Sequence, residues 1–337
     1  MKNAHILLIP ATLILVIFAS GCTIPGFENF CIPGLTCQQT IEYENDVLVI
    51  SNLDAIPSTV STGQQFRLSA WIENRGGETV PQKEIEIPVK IKLYDTCEGL
   101  FKEIKVLCPG PQQSEKTGIE CSITGILPKQ KIPVFWTLTA YDSKQIPLET
   151  SCKLKVYVQY PYRTKSITSI SFVDYVEYQR MLDEGKFKPI TSYITEGYGP
   201  IKPYLTVEDQ QPIPVKNGQP SNTIMAFQIK NKGSGFLVGS LEDTTTPEIS
   251  ASSIKIITNV GTQKADYKIG TYISSAINKM DAFQLIGKES PKQHFTIETP
   301  YQNKIEKIAT YFVTTSIEYI YEFRKEIEVK IKPPKIT

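Results

Sequence analysis

Cysteine, tyrosine and a thin set of titratable groups carry most of the chemistry in this chain of 337 residues, which has seven cysteines but only two histidines. Six of the cysteines, Cys31, Cys37, Cys97, Cys108, Cys121 and Cys152, form an even set suited to disulfides. Cys31 and Cys37 flank a turn-rich Ile-Pro-Gly-Leu-Thr loop that can close locally; sequence proximity pairs Cys97 with Cys108, and Cys121 with Cys152. A zinc site is not expected, because there is no Cys-x2-Cys pair and His5 and His294 are the only histidines. Ser252-Ser-Ile-Lys255 fits the Ser-x-x-Lys pattern, but it runs into a strand-like Ile-Lys-Ile-Ile rather than a helix start, which reads as coincidence. Glu242, Asp243 and Glu248 offer hard oxygen ligands of the kind calcium takes, yet their setting reads as a solvated loop. Neither a zinc-protease, serine-hydrolase, phosphate-loop nor EF-hand motif occurs. The expectation is therefore a protein with no catalytic residues, no metal and no cofactor. Tyr160, Tyr162, Tyr193, Tyr198 and Tyr204 remain. They either stack on a sugar or partner surface, or fill a junction between domains.

The seventh cysteine, Cys22, has a different setting. Lys2 precedes the apolar run Ile6 to Phe18, and Ala19-Ser20-Gly21-Cys22 follows it. A basic start, a charge-free apolar core and small residues form a secretory signal. The last four residues resemble the lipobox of prokaryotic lipoproteins, although Ala19 stands where a larger aliphatic residue is usual. The resemblance implies cleavage before Cys22 and lipidation of its thiol, with an uncleaved membrane helix or a soluble secreted product as the alternatives. Every route places the body outside the cytoplasm, and the first two anchor it to the cell membrane. Cleavage would leave 316 residues with 35 basic and 35 acidic side chains. Zero net charge argues against a nucleic-acid partner.

The elements that position these residues repeat. Pro57, Val60, Gly63 and Gln64 recur as Pro212, Val215, Gly218 and Gln219, each 155 residues on. Asn74 and Gly76 recur as Asn231 and Gly233, 157 on. After the first motif, Phe66, Leu68, Ala70 and Ile72 alternate with polar residues, and Met225, Phe227 and Ile229 do the same after the second. Period-two alternation puts one set of side chains into a core and the other outside. Each copy ends in a strand, Leu154–Val158 in one and Ile327–Ile331 in the other. Ser171 with Asp174 three residues later reads as a capping box, and Gly185 suits the stop of a helix at about 172–184.

The order strand, Pro-x-x-Val-x-x-Gly, alternating strand, Asn-x-Gly resembles the CARDB-like and related immunoglobulin-like modules of archaeal and bacterial surface proteins. The resemblance implies a spacer or interaction module and carries over no functional residues. The expected fold is mostly β: two tandem immunoglobulin-like antiparallel β-sandwiches with a short linking helix. The expected organisation is a signal peptide at 1–21, a lipid-anchored stalk at 22–43, a first sandwich at 44–160, a helix-bearing linker at 161–202 and a second sandwich at 203–334. The expected function is non-catalytic: the presentation of these domains to an envelope protein. A glycan-binding lipoprotein using the tyrosines is the alternative, and an extracytoplasmic hydrolase a more remote one.

Overall fold

The structure is a computed structural model that describes residues 45–108, 119–216, 218–219, 222–250, 254–258, 273, 275–280, 282–298, 305 and 307–333. The chain is mostly β. Its first half forms β1 (Leu48–Ile56), β2 (Thr59–Ser61), β3 (Gln65–Asn74), β4 (Val89–Asp95), β5 (Phe101–Leu107), β6 (Glu120–Ile123), β7 (Lys131–Ala140) and β8 (Thr150–Asp174). A helix, α1 (Tyr175–Asp183), follows. The second half forms β9 (Ile194–Glu196), β10 (Ile201–Val207), β11 (Ile213–Val215), β12 (Asn222–Asn231), β13 (Phe236–Gly239), β14 (Glu248–Ile249), β15 (Ile254–Thr258), β16 (Phe283–Gln284), β17 (Gln293–Glu298) and β18 (Ile308–Lys332).

The two longest strands organise the rest. β8 and β18 are 25 residues each and pair antiparallel without a break from Thr150↔Ile331 to Val173↔Ile308. At about 3.4 Å per residue, each spans roughly 80 Å. Every other strand of the largest sheet joins this pair: β4, β9 and β11 pair with β8; β2, β13 and β15 pair with β18; and β6 pairs with β4. Two smaller sheets have the orders β1-β3-β7-β5 and β10-β12-β17. β1 lies against β18, and β10 lies against β8. Their inward residues merge into one buried cluster that includes Leu68, Trp136, Val158, Phe227 and Ile317. The Trp136 indole N–H reaches the Ile119 carbonyl at 3.0 Å, so burying this large ring leaves no orphan donor.

The sequence repeat reappears as matched strand pairings and turns. β2 runs parallel to the C-terminal end of β18, and β11 runs parallel to the C-terminal end of β8. Each half therefore receives the last strand of the other beside its own second strand. Gly63 and Gly218 occupy the same left-handed region, with φ of +78° and +76°, where a side chain would be strained. Pro57 and Pro212 both follow cis peptide bonds. Asn74 and Asn231 do identical work: each side-chain oxygen accepts from the N–H two residues on, and each amide donates to the carbonyl four residues on. Residues 45–333 belong to one compact unit.

Residues 161–174, expected to begin a linker, instead continue β8. Pro161 argued against a strand because it cannot donate to a ladder. On one side β8 pairs with β4 only up to Gln159 and with β9 only from Ser166 to Thr168, so Pro161 lies in a gap. The helix also starts later than expected. Its N-cap is Asp174, whose Oδ1 accepts from Val176 N (2.9 Å) and Glu177 N (3.2 Å), while Ser171 and Phe172 are buried in β8. Gly185 does follow the helix with φ +63°.

Because both halves share β8 and β18, thermal unfolding of the full chain should give one cooperative transition rather than two. A Cβ on Gly235 would lie 2.2 Å from the Glu322 carbonyl oxygen on β18. Gly235→Ala should lower stability by about 1–3 kcal/mol through overpacking, seen as a lower Tm of that single transition. Two separate calorimetric peaks would contradict this reading.

Candidate functional site

The polar centre of the molecule lies where β8 and β18 cross their shared midpoint, the pair Pro161↔Ile320. Tyr160 and Tyr162 flank Pro161, and Tyr319 and Tyr321 flank Ile320, so all four phenols point inward together. Ring centroids are 5.8 Å apart for Tyr160–Tyr321 and 6.4 Å for Tyr162–Tyr319, both edge-on, the arrangement favoured by ring quadrupoles. Each hydroxyl with a partner ties a loop to the sheet. Tyr160 accepts from Val47 N at 3.3 Å, and Tyr319 accepts from Ile201 N at 3.3 Å, the equivalent entry to the first strand of the other half. Tyr319 also shares a 2.6 Å bond with Thr164 Oγ1. Tyr321 donates to Asn231 Oδ1 (3.0 Å) and accepts from Gly235 N (2.8 Å).

A buried carboxylate completes the cluster. Asp46 is fully covered; both its oxygens accept from Ser234 N at 3.1 Å, and Ser234 Oγ donates to Oδ2. Tyr198 donates to the Asp46 carbonyl at 2.9 Å. Burial, followed by neighbouring phenols, holds the Tyr160 hydroxyl well above its ordinary value. Burial raises Tyr319 too, and burial with the nearby Asp46 charge raises Tyr321. These phenols therefore stay neutral near pH 7, where they bond and pack rather than exchange protons. Chemically, the arrangement is a lock.

The five tyrosines, for which the sequence allows either a stacking surface or a filled junction, divide between the two. Tyr160 and Tyr162 are 0% and 3% exposed and cannot stack on a ligand. Tyr193 is 64% exposed, Tyr198 is 40% exposed and bonded to Asp46, and Tyr204 lies under Lys230 with its hydroxyl on Glu196. The physical reason is the extra length of β8, which carries 160 and 162 into the core instead of out along a linker.

The cysteine pairing differs as well. The bonds are Cys97–Cys152 and Cys108–Cys121, not Cys97–Cys108 and Cys121–Cys152. Asp95 pairs in register with Lys155, which brings the turn after β4 to the start of β8 and Cys97 to Cys152. For Cys97–Cys152 a sheet contact, not sequence proximity, decides the bond. Cys22, Cys31 and Cys37 lie outside the described residues, as does Ser252; Lys255 sits on β15. His294 is exposed on β17, opposite Ala226. The Asp243 carboxyl is held below its ordinary value by hydrogen bonds from the Thr245 hydroxyl and N–H, a self-bonded turn. Among the described residues, no three His, Cys, Asp or Glu side chains lie close enough to hold a metal. No helix among them is long and apolar enough to cross a membrane.

Two surface features escaped the sequence reading, both on the outer face of the large sheet. One is a cavity of about 460 Å³ bordered by Glu78, Lys83, Glu84 and Lys165, where Arg163 is bound by Glu84 and by Glu318 (2.6 Å). The other is a cavity of about 270 Å³ over the midpoint pair, floored by Pro161 and Ile320. Beside it the Glu322 carboxylate, 3% exposed, accepts from Gln159 Nε2 (2.7 Å) and from Arg324 Nε. The available signal was the alternation Glu322, Arg324, Glu326, Glu328 on β18, which puts all four on one face. No protein-family model matches the chain, and no curated protein matches it.

Two predictions follow from this geometry. Non-reducing peptide mapping should recover Cys97–Cys152, and Cys97→Ala/Cys152→Ala should destabilise by up to ~4 kcal/mol in the loop-entropy account of a 55-residue separation. For the lock, the raised phenol values mean that above pH 10 the unfolded chain gives up protons that the folded chain keeps. The stability they contribute is complete below pH 10 and falls as pH rises toward their folded values. Denaturant midpoints measured upward from pH 9 should therefore drop, and less steeply in Tyr321→Phe, which should itself cost about 1–3 kcal/mol at neutral pH by orphaning Gly235 N–H.

Proposed function

We propose that the chain is a non-catalytic, membrane-anchored extracytoplasmic protein that presents rigid β surfaces to another protein of the cell envelope. Two immunoglobulin-like sandwich units, fused through exchanged last strands rather than joined by a flexible linker, make up its body. The observation that carries the reading is where the polar chemistry goes. The buried titratable groups of the centre, Asp46 and the phenols, are committed to holding loops against the long strands. Unpaired sheet edges and charged outer faces are left for contact. The disulfides support the compartment, since such bonds persist in oxidising surroundings. The Ala19-Ser20-Gly21-Cys22 sequence supports the anchor. Burial of Tyr160 and Tyr162 removes the support for a glycan platform built on them.

Crosslinking in intact membranes, followed by affinity capture of the full chain, tests the reading. Native protein should partition with membranes and carry a reproducible crosslinked protein; Cys22→Ser should lose both. Intact mass should show a diacylglycerol-type addition on a chain beginning at Cys22. Membrane retention by the Cys22→Ser chain would replace lipid by an uncleaved helix. Capture unaffected by release from the membrane would sink the proposed tie between anchoring and contact.

A further inference from the structure

The outer face of the large sheet has a chemistry that the internal lock does not use. At its centre the cavity of about 270 Å³ is walled by Ile87 and Pro88 from the approach to β4, by Val238 of β13, and by Pro161 and Ile320 of the midpoint pair. Both halves thus contribute to it. The rest of its lining is Lys90, Gln159, Tyr160 and Thr244, and the Gln159 amide nitrogen is already committed to Glu322.

One row further along, Arg324 is fixed from three sides. Its Nε donates to the buried Glu322, the Phe236 ring lies 4.6 Å from its guanidinium carbon, and the Tyr94 ring lies 5.8 Å away. Tyr94 in turn contacts Tyr157 at 5.3 Å between centroids. Phe236 and Tyr94 are 51% and 38% exposed. A guanidinium held flat by aromatic rings and a carboxylate on one edge keeps its other N–H groups in a fixed fork, the geometry that binds a carboxylate in two parallel bonds. Lys90, opposite Gln159 in the register, is exposed and forms no ion pair among the described residues. Lys92 stands one row further along β4, opposite Tyr157 and Glu120, so the positive charge that lines the cavity itself is that of Lys90. Glu322 balances Arg324 from beneath without occupying the outward edge of its fork.

From these placements we infer that this face is a docking site for a partner-protein segment bearing one aliphatic or aromatic side chain beside a carboxylate. The side chain fills the midpoint cavity, and the carboxylate meets Lys90 and the Arg324 fork. Charge complementarity selects an acidic segment. The five aliphatic walls suit an apolar side chain, which a peptide carries and a hydroxyl-rich anionic sugar does not. The inference rests on the contact role proposed above and specifies the surface that performs it.

The test uses the full chain in detergent against an immobilised array of synthetic peptides. Each peptide carries one leucine or phenylalanine flanked by aspartates at every spacing up to four residues. Matched sets replace the aspartates by lysine or the apolar residue by glycine, and uronic-acid oligosaccharides form a separate set. Binding is expected only to the acidic apolar peptides, weaker at high salt because exposed charges are screened, and reduced about tenfold or more by Lys90→Glu or Arg324→Gln. Lys90 is exposed and forms no ion pair among the described residues, so its variant should keep the native near-ultraviolet circular dichroism and Tm, which separates loss of binding from loss of fold. Equal binding to lysine peptides, binding to the oligosaccharides alone, no binding, or no change in a folded Lys90→Glu chain would each overturn the inference. The same variant in the membrane crosslinking experiment separates the two proposals. An unchanged crosslinked partner leaves the contact role standing and rejects this face; a lost partner supports both.

Discussion

The pairing of β8 with β18 is the constraint from which the rest of the structure follows. Two strands of 25 residues, paired throughout, cannot belong to one half each. Once they cross at Pro161↔Ile320, the core of either half contains strand from both, and neither can open alone without exposing the other's apolar face. The crossing also dictates its own chemistry. Period-two alternation sends 160, 162, 319 and 321 to the same inner region, and large rings with one polar atom each fill it while tethering the neighbouring loops. Those loops must then come close. Gly199, Gly233 and Gly235 sit where an added Cβ would meet Thr164 Oγ1, the Asp46 carboxylate and the Glu322 backbone, all within 2.4 Å. Glycine there is a consequence of the tyrosine lock rather than a separate feature.

The two halves keep the same plan but solve one problem differently. β10 borders β12 on one side only, and its open edge carries carbonyls at Pro203 and Leu205. Ser166 Oγ and Thr168 Oγ1 of β8 donate to them at 2.7 and 3.0 Å. At the corresponding edge of the first half, the Lys325 ammonium of β18 donates to Ile50 O at 3.3 Å. Burial pushes that lysine below its ordinary value. Hydroxyls close one edge and an ammonium the other, and in each case the capping residue comes from the strand received in exchange. The described disulfides, by contrast, lie only in the first half.

What sequence could reveal here was local. The alternation of Phe66 to Ile72, the recurrence of Asn74 as Asn231 and of Gly63 as Gly218, and the stop at Gly185 all rest on neighbours within a few residues, and all are legible. The length of β8 is not, because a proline and a run of hydroxyl residues from Thr164 to Ser171 hide its inner face. Of those hydroxyls, Ser166 and Thr168 find acceptors on β10 about 37 residues away, while Thr164 and Ser171 bond to Tyr319 and Thr310 of β18. Cysteine pairing failed for the same reason: the register Asp95↔Lys155 is a sheet contact that no spacing encodes. For Tyr160 and Tyr162 the sequence leaves a stacking surface and a filled junction both open, and only the pairing of β8 with β18 decides for burial. Arg324 passed unnoticed because an Arg-Lys-Glu stretch reads as ordinary solvated charge until Phe236 and Glu322 are set around it.

The two faces of one strand pair carry different chemistry, and the shared register couples them. On β18, Tyr319 and Tyr321 face the core, while Ile320, Glu322 and Arg324 face outward. Pro161 opposite Ile320 does the same between Tyr160 and Tyr162. A slip of one residue would carry every phenol to the surface and every outer charge into the core, so the register is strongly specified. The inner lock, by fixing that register, also fixes where Arg324 and the midpoint cavity stand on the outside. An outer surface assembled from both halves has a defined shape only if the halves cannot move against each other. Strands shared end to end supply that rigidity without any added interface, and for a surface that must hold a guanidinium fork and an apolar hole at a constant spacing this is the property that matters.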